Sequence, residues 1–244
     1  MHLYRYIPKK RFSEIITNNE LVFISPLCWK DQYEGVLFRM IKTTEGRTEI
    51  IRLLKELEKP DFIIGLLKNE AAVSLLKCLC WCKNRDSIVM WESYTDDGQS
   101  IMIQTTRDKI EGLRNQTGDH VKVEEVVYDE YIDLEDEIYR AFIDIETVST
   151  QQIFRTKREE FSFEKEMRAY IGGAINYYDS STYHMPLPIK IEIPINQFIE
   201  DVIVNPNASE ATVREIEDIC KQHSIKFSGK SKVFDFSLDR IRTT

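Results

Sequence analysis

Seven residues near the middle of the chain, Lys77 to Lys83, alternate strictly in the order KCLCWCK. In an extended strand this puts Cys78, Cys80 and Cys82 on one face and Leu79 and Trp81 on the other. Apolar side chains on both faces predict a buried strand, and therefore a sheet covered by other elements. Same-face sulfurs along a strand lie roughly 6 to 7 Å apart, too far for one tetrahedral zinc ion. No His follows in a suggestive local pattern, so neither a metal site nor a catalytic thiol is expected here.

The elements around this strand are mixed. His2 to Ile7 reads as a strand, Lys9 to Asn18 as a helix with Phe12, Ile15 and Ile16 inward, and Leu21 to Ile24 as a second strand. Ser25-Pro26 closes it, and a polar, aromatic loop runs from Cys28 to Gly35. Gly46 to Lys77 predicts two or three short helices interrupted at Pro60. Ser87 to Tyr94 reads as a helical turn, Asp96 to Gly98 as a turn, and Ser100 to Thr105 and Val121 to Tyr128 as strands. Leu134 to Phe154 predicts a long acidic helix with Ile138, Phe142, Ile145 and Val148 on its buried stripe. Phe163 to Gly172 leads into a strand, and Ile189 to Ile193 is another. A short helix and a strand share Gln197 to Val204. Ala208 to His223 reads as a helix with Val213, Ile216, Ile219 and Cys220 inward and Ser209 as its cap. Strands and helices do not alternate regularly, which favours an α+β fold: a mixed, mainly antiparallel sheet flanked by helices. The length suits a single domain over residues 1–244, with a helical insertion at about residues 46–77.

Charge and cysteine usage narrow the setting. The formal net charge is −8, so no global positive field draws nucleic acid, although nucleic acid stays open as an acceptor of a transferred group. Five cysteines, an odd number, in a chain this long favour reduced thiols and a cytoplasmic location. The first twenty residues hold no continuous apolar stretch of the secretion-signal type, and no segment approaches the ~20 apolar residues of a membrane span.

Two constellations could carry chemistry. If Phe163 to Arg168 is extended, Glu164 and Glu166 project to one face and their carboxylates converge, which would separate their proton affinities and suit acid/base work. The bland alternative is a solvated charged face, because Lys157, Arg158, Glu159, Glu160, Lys165 and Arg168 surround the pair. Met90 to Tyr94 with Asp97-Gly98 is either a core-packing turn or the wall of a pocket on which a planar ring could stack.

Several pieces read together resemble a bacterial family, domain-of-unknown-function family 2971. They are Leu3-Tyr4-Arg5-Tyr6, Leu21 to Pro26 with Asp31 and Glu34, Met90-Trp91-Glu92-Ser93-Tyr94 with Gly98, Phe163 to Arg168, and Val202 to Ser209. Lys30 and Gln32 stand where that family has asparagine and proline. The opening strand, helix and strand with a late Glu-x-Glu are also similar to the layout of ADP-ribosyltransferase-like toxins. That similarity implies NAD as substrate, held by Arg5, with Tyr6, Trp91 or Tyr94 against the nicotinamide. It implies Glu166 as the catalytic carboxylate and Glu164 as the residue orienting the acceptor. A toxin or phage-defence effector of this type implies a protein partner or neutralising factor. Two other readings stay open. One is a non-catalytic sensor or adaptor module that binds a protein or nucleotide. The other is a metal-dependent nuclease using Asp31, Glu34, Glu164 and Glu166.

Overall fold

The computed structural model describes residues 1–59, 76–94, 98–116, 118–141, 154–172 and 187–235. In chain order the elements are β1 (His2–Ile7), α1 (Lys9–Asn18), β2 (Glu20–Phe23), α2 (Val36–Ile41), α3 (Thr44–Glu56), β3 (Lys77–Cys82) and α4 (Ile88–Ser93). There follow β4 (Ile101–Thr106), α5 (Arg107–Glu111), β5 (Lys122–Glu125), β6 (Val127–Asp129), α6 (Leu134–Ala141), β7 (Thr156–Arg158) and β8 (Glu166–Ile171). The last are β9 (Ile189–Glu192), α7 (Ile195–Phe198), β10 (Asp201–Val204), α8 (Glu210–Gln222) and β11 (Phe227–Lys230). The fold is α+β, with mixed, mainly antiparallel strand pairing and helices packed around it. No helix of the described residues is long and apolar enough to cross a membrane.

The chain divides into two compact units, each assembled from separate stretches. The first holds Met1–Leu21, Cys82–Lys109 and Glu192–Thr244. Here β1 and β4 pair antiparallel from His2 opposite Thr106 to Ile7 opposite Ile101. On the other edge of β4, β10 pairs antiparallel, and β11 joins β10 in parallel. Asn19, left-handed at φ 53°, ends α1 at the predicted turn. The Ser209 side chain accepts a hydrogen bond from the Thr212 amide at the start of α8, as a helix N-terminus with unpaired amides requires. The buried stripe of α8 is Thr212, Ile216 and Cys220, while Val213 and Ile219 are half-buried.

The second unit holds Val22–Trp81 and Ile110–Ile191. The alternating strand β3 lies beside β8, and β5 pairs with β8 antiparallel, Lys122 opposite Tyr170 through Glu125 opposite Met167. Cys78, Leu79 and Trp81 are buried and Cys80 half-buried, so both faces of this strand are covered. The expected strand Val121 to Tyr128 is broken in two. The Val126 amide donates to the Glu166 carbonyl at 3.1 Å, after which β6 leaves β8 and pairs in parallel with β7, Tyr128 opposite Lys157.

Helix α2 was not expected. Its Leu37 and Ile41 are buried one turn apart in a cluster with Ile50, Leu54, Ile138 and Phe154, so packing rather than propensity holds six residues helical. Helix α3 starts at Thr44, capped by the Thr43 hydroxyl on the Gly46 amide. The rest of the expected insertion, residues 60–75, lies outside the described residues, as do residues 142–153 of the expected long helix. Phe154 is not helical but sits in a turn with its ring fully buried.

Candidate functional site

The densest chemistry of the second unit is a set of five buried charged side chains: Glu34, Lys157, Glu164, Glu166 and Arg168. Glu34 comes from the loop before α2, Lys157 from β7, and Arg168 from β8. Glu164 ends a 3-10 turn, Lys165 is left-handed at φ 44°, and Glu166 opens β8. The expectation that Glu164 and Glu166 converge because the stretch is extended is therefore corrected. They converge because the left-handed residue between them reverses the chain, and a cation collects both carboxylates.

That cation is Lys157, whose Nζ donates to Glu164 Oε2 at 2.7 Å and to Glu166 Oε2 at 3.2 Å, with Glu34 Oε1 at 3.7 Å. Arg168 completes the cluster. Its Nε and one terminal nitrogen grip both oxygens of Glu166 at 2.7 and 3.1 Å, and that same terminal nitrogen also donates to Glu34. The other terminal nitrogen donates to the Phe154 carbonyl at 2.5 Å. The guanidinium stacks over Trp29, 4.5 Å from the ring centroid. A planar fork bound bidentately on one side and stacked on an indole uses the features that distinguish arginine from lysine.

Burial and pairing pull the three acids in different directions. Burial raises the proton affinity of Glu34 more than Arg168 and Lys157 lower it. For Glu166 burial also acts upward, but Arg168, through charge and hydrogen bonding, and then Lys157 outweigh it, and the carboxyl is held down at about 2. Burial would release the proton of Lys157, yet the carboxylates of Glu166, Glu34 and Glu164 hold it on. The Cys80 thiol hydrogen-bonds to Glu166. Burial first, and then that neighbouring carboxylate, keep this thiol protonated. Three acids against two bases leave one negative charge when all are ionised, and Glu34 is an acid whose proton affinity burial leaves raised.

The cluster lies beneath an aromatic cover. Lys157 Nζ sits 4.6 Å from the Phe161 centroid, and the Arg158 guanidinium lies over Tyr33 at 4.6 Å and Phe161 at 5.3 Å. Asp31 holds Arg158 at 3.3 Å, and Tyr128 donates no charge but accepts the Glu166 amide at 2.8 Å. Of the acids in the nuclease reading, Asp31 is thus paired with Arg158, and Glu34, Glu164 and Glu166 with the two cluster cations. Among the described residues no three His, Cys, Asp or Glu side chains are placed to hold a metal ion.

Linkage gives the cluster a measurable signature. A carboxyl at about 2 in the folded chain and about 4.5 unfolded contributes stability that is complete above pH ~4.5 and disappears as the pH falls toward ~2, up to about 3 kcal/mol. Glu34, shifted upward, has the opposite sign: its ionisation costs stability above its raised value, and that cost is relieved as the pH falls. Urea unfolding from pH 6 to pH 2 should show the loss due to Glu166, and the Glu166→Gln chain should show a flatter acid limb. Parallel limbs in the two proteins would refute the low proton affinity.

The other expected site residues belong to the first unit. Arg5, half-buried, sits on β1 opposite Ile103. Tyr6 and Trp91 are buried and meet edge to face, centroids 4.7 Å apart at 83°. The Tyr6 hydroxyl donates to the Asn84 carbonyl at 3.2 Å and accepts the Ser87 amide at 2.9 Å. The Trp91 indole donates to Asp86 at 2.9 Å. Both rings therefore pack as core, and Tyr94, 41% exposed, is the one of the three aromatics with a surface to offer. Sequence reasoning missed Lys157 and Trp29 as members of the cluster. A Lys-Arg-Glu-Glu run reads as solvated, and a three-residue strand such as β7 leaves no periodicity to detect.

Residues 90–169 match the model of a family described as Protein of unknown function (DUF2971). This stretch contains β4, most of α4 and β8, and four of the five cluster charges, and it agrees with the resemblance read from the sequence. No curated protein and no solved structure matches the chain.

Proposed function

We propose that the protein, whose residues 90–169 match the model of a family described as Protein of unknown function (DUF2971), cleaves the bond between ribose and nicotinamide in NAD and passes the ADP-ribosyl group to an acceptor. The observation that carries this reading is the splitting of Glu34 and Glu166. They share Arg168 and Lys157, yet one is raised and the other lowered in proton affinity. Carboxyl groups driven apart in this way suit separate roles in one reaction.

Glu166, ionised at neutral pH, is the fixed negative charge that would face the oxocarbenium-like ribose as neutral nicotinamide leaves with the bonding electrons. Glu34 has the raised proton affinity suited to taking the proton of an acceptor hydroxyl or water as its oxygen bonds to the ribose carbon. Glu164 acts through Lys157 and would orient the acceptor. Substrate would reach the cluster by displacing the Tyr33, Arg158 and Phe161 cover. An effector such as a toxin or phage-defence protein, kept in check by a partner, is the setting this chemistry favours.

A second reading is favoured by burial itself. Arg168 has no exposed surface and Glu166 only 3%, as expected of an ion cluster that holds a non-catalytic binding module together. Nicotinamide release from NAD by the purified protein separates the two. The transferase reading expects turnover that falls by about 100-fold in folded Glu166→Gln and Glu34→Gln chains. Folded wild-type protein that releases no nicotinamide, with and without cell lysate as a source of acceptor or partner, would reject it in favour of the binding module.

A further inference from the structure

The first unit contains a separate hollow with a different electrostatic character. It has a volume of about 480 Å³ and is lined by Arg85, Asp86, Ile203, Ser228, Lys230, Ser231 and Lys232. A volume of this order is that of small-molecule sites, which span roughly 300 to 1,000 Å³. Three cations face one carboxylate in a chain whose formal net charge is −8, so the local sign runs against the molecule as a whole.

The anionic member of the wall is already engaged. Asp86 accepts the Trp91 indole at 2.9 Å and the Ser231 hydroxyl through the same carboxylate oxygen. Its backbone is left-handed at φ 58°, a conformation non-glycine residues adopt only when surroundings hold them there. The Tyr6 hydroxyl supplies that hold from the Ser87 amide and the Asn84 carbonyl on either side. The buried aromatic pair expected to stack on nicotinamide thus braces the loop that forms one wall of the hollow.

The cations are differently committed. Arg85, half of its side chain exposed, lies 3.6 Å from Asp201, too long for a strong pair. Asp201 is also met by Lys226 at 3.0 Å and by the Ser228 hydroxyl at 2.8 Å, so it does not need Arg85. Lys230 pairs at 2.8 Å with Glu210, itself 71% exposed. Exposed pairs of this kind are weak and exchange partners readily. The Lys232 side chain is exposed and has no carboxylate partner among the described residues.

We propose that this hollow binds a small phosphorylated ligand of nucleoside diphosphate size. The Arg85 fork and the Lys230 and Lys232 ammonium groups would take the phosphate oxygens, and the apolar side of the wall at Ile203 the remainder. A guanidinium with two mobile ammonium groups fits the several oxygens and multiple charge of a diphosphate better than a single carboxylate. The site lies wholly within the first unit and does not depend on the role assigned to Glu34 and Glu166.

Titration calorimetry with ADP, inorganic pyrophosphate and adenosine as probes tests this on the full chain. Wild type should bind ADP and pyrophosphate, and adenosine at least tenfold more weakly. ADP affinity should fall roughly tenfold in Lys232→Ala and further in Arg85→Ala/Lys232→Ala, with melting temperatures unchanged. It should weaken as salt is raised and survive in Glu166→Gln. ADP binding tighter than pyrophosphate would identify a nucleotide as the ligand, and equal binding the diphosphate alone. No binding of either at about 1 mM, adenosine binding as tightly as ADP, or wild-type affinity in the double variant would each overturn the proposal.

Discussion

Arg168→Met should lower the unfolding free energy at pH 7 by about 3–5 kcal/mol, the largest effect expected of any single replacement in this protein. The side chain has no exposed surface and makes four hydrogen bonds, two to Glu166, one to Glu34 and one to the Phe154 carbonyl. Methionine fills a similar volume, so the cost is electrostatic rather than a cavity. Glu166 would keep Lys157 and Cys80, but Glu34 would keep only Lys157 at 3.7 Å, and three carboxylates, Glu34, Glu164 and Glu166, would be buried against one ammonium. The sign with pH follows: the penalty is largest where the acids are ionised and shrinks as the pH falls and they protonate. Arg168→Lys should recover part of the loss only, because an ammonium cannot grip both oxygens of Glu166 while also reaching Glu34 and Phe154. Urea denaturation of the three proteins at pH 7 and pH 4 checks this. A loss under about 1 kcal/mol at pH 7 would mean that the cluster is solvated and that its proton affinities are ordinary.

Gly35→Ala should cost about 3 kcal/mol, which is unusual for adding one methyl group. Two effects combine. Gly35 is left-handed at φ 67° at the start of α2, where a Cβ costs about 1 kcal/mol. A Cβ there would also overlap the fully buried Phe154 ring, and overpacking a core ring typically adds a further 1–3 kcal/mol. The ring cannot retreat freely, because its own carbonyl accepts both Arg168 and the Tyr170 hydroxyl. Thermal denaturation gives the size of the effect, and a second background gives its cause: Phe154→Leu should cost less in Gly35→Ala than in wild type. Equal costs in the two backgrounds would assign the effect to backbone conformation alone. Gly35 follows Glu34, so the same variant should also disturb Glu34 against Arg168.

These two positions show how differently parts of the chain could be read in advance. Helix α1 was legible to the residue, Lys9–Asn18, because Phe12, Ile15 and Ile16 repeat at helical spacing and Asn18-Asn19 supplies turn chemistry. Strand β1, strand β3 and helix α8 were legible for the same kind of reason: each carries a local periodicity of two or about 3.6 that one face of burial enforces. Strands β7 and β11 and helix α2 were not, being too short to establish a period. The break between β5 and β6 was invisible because an apolar run, Val121 to Tyr128, reads the same whether it follows one neighbour or changes neighbours midway.

By itself the sequence determined the repertoire of elements, the α+β class, the two-sided burial of Lys77–Cys82, the Ser209 cap and the prominence of Glu164 and Glu166. Those properties depend on residues within a turn or two of one another. Only the tertiary structure decided what the two glutamates face. Their partners are Lys157 on a three-residue strand, Arg168, and Glu34, which Arg168 reaches across a separation of 134 residues. The charged run around them reads as solvated until β7, β8 and the loop before α2 are packed together. The reason is that a charge has no periodicity of its own, and whether it is paired, buried or free depends on which distant segment the fold brings beside it.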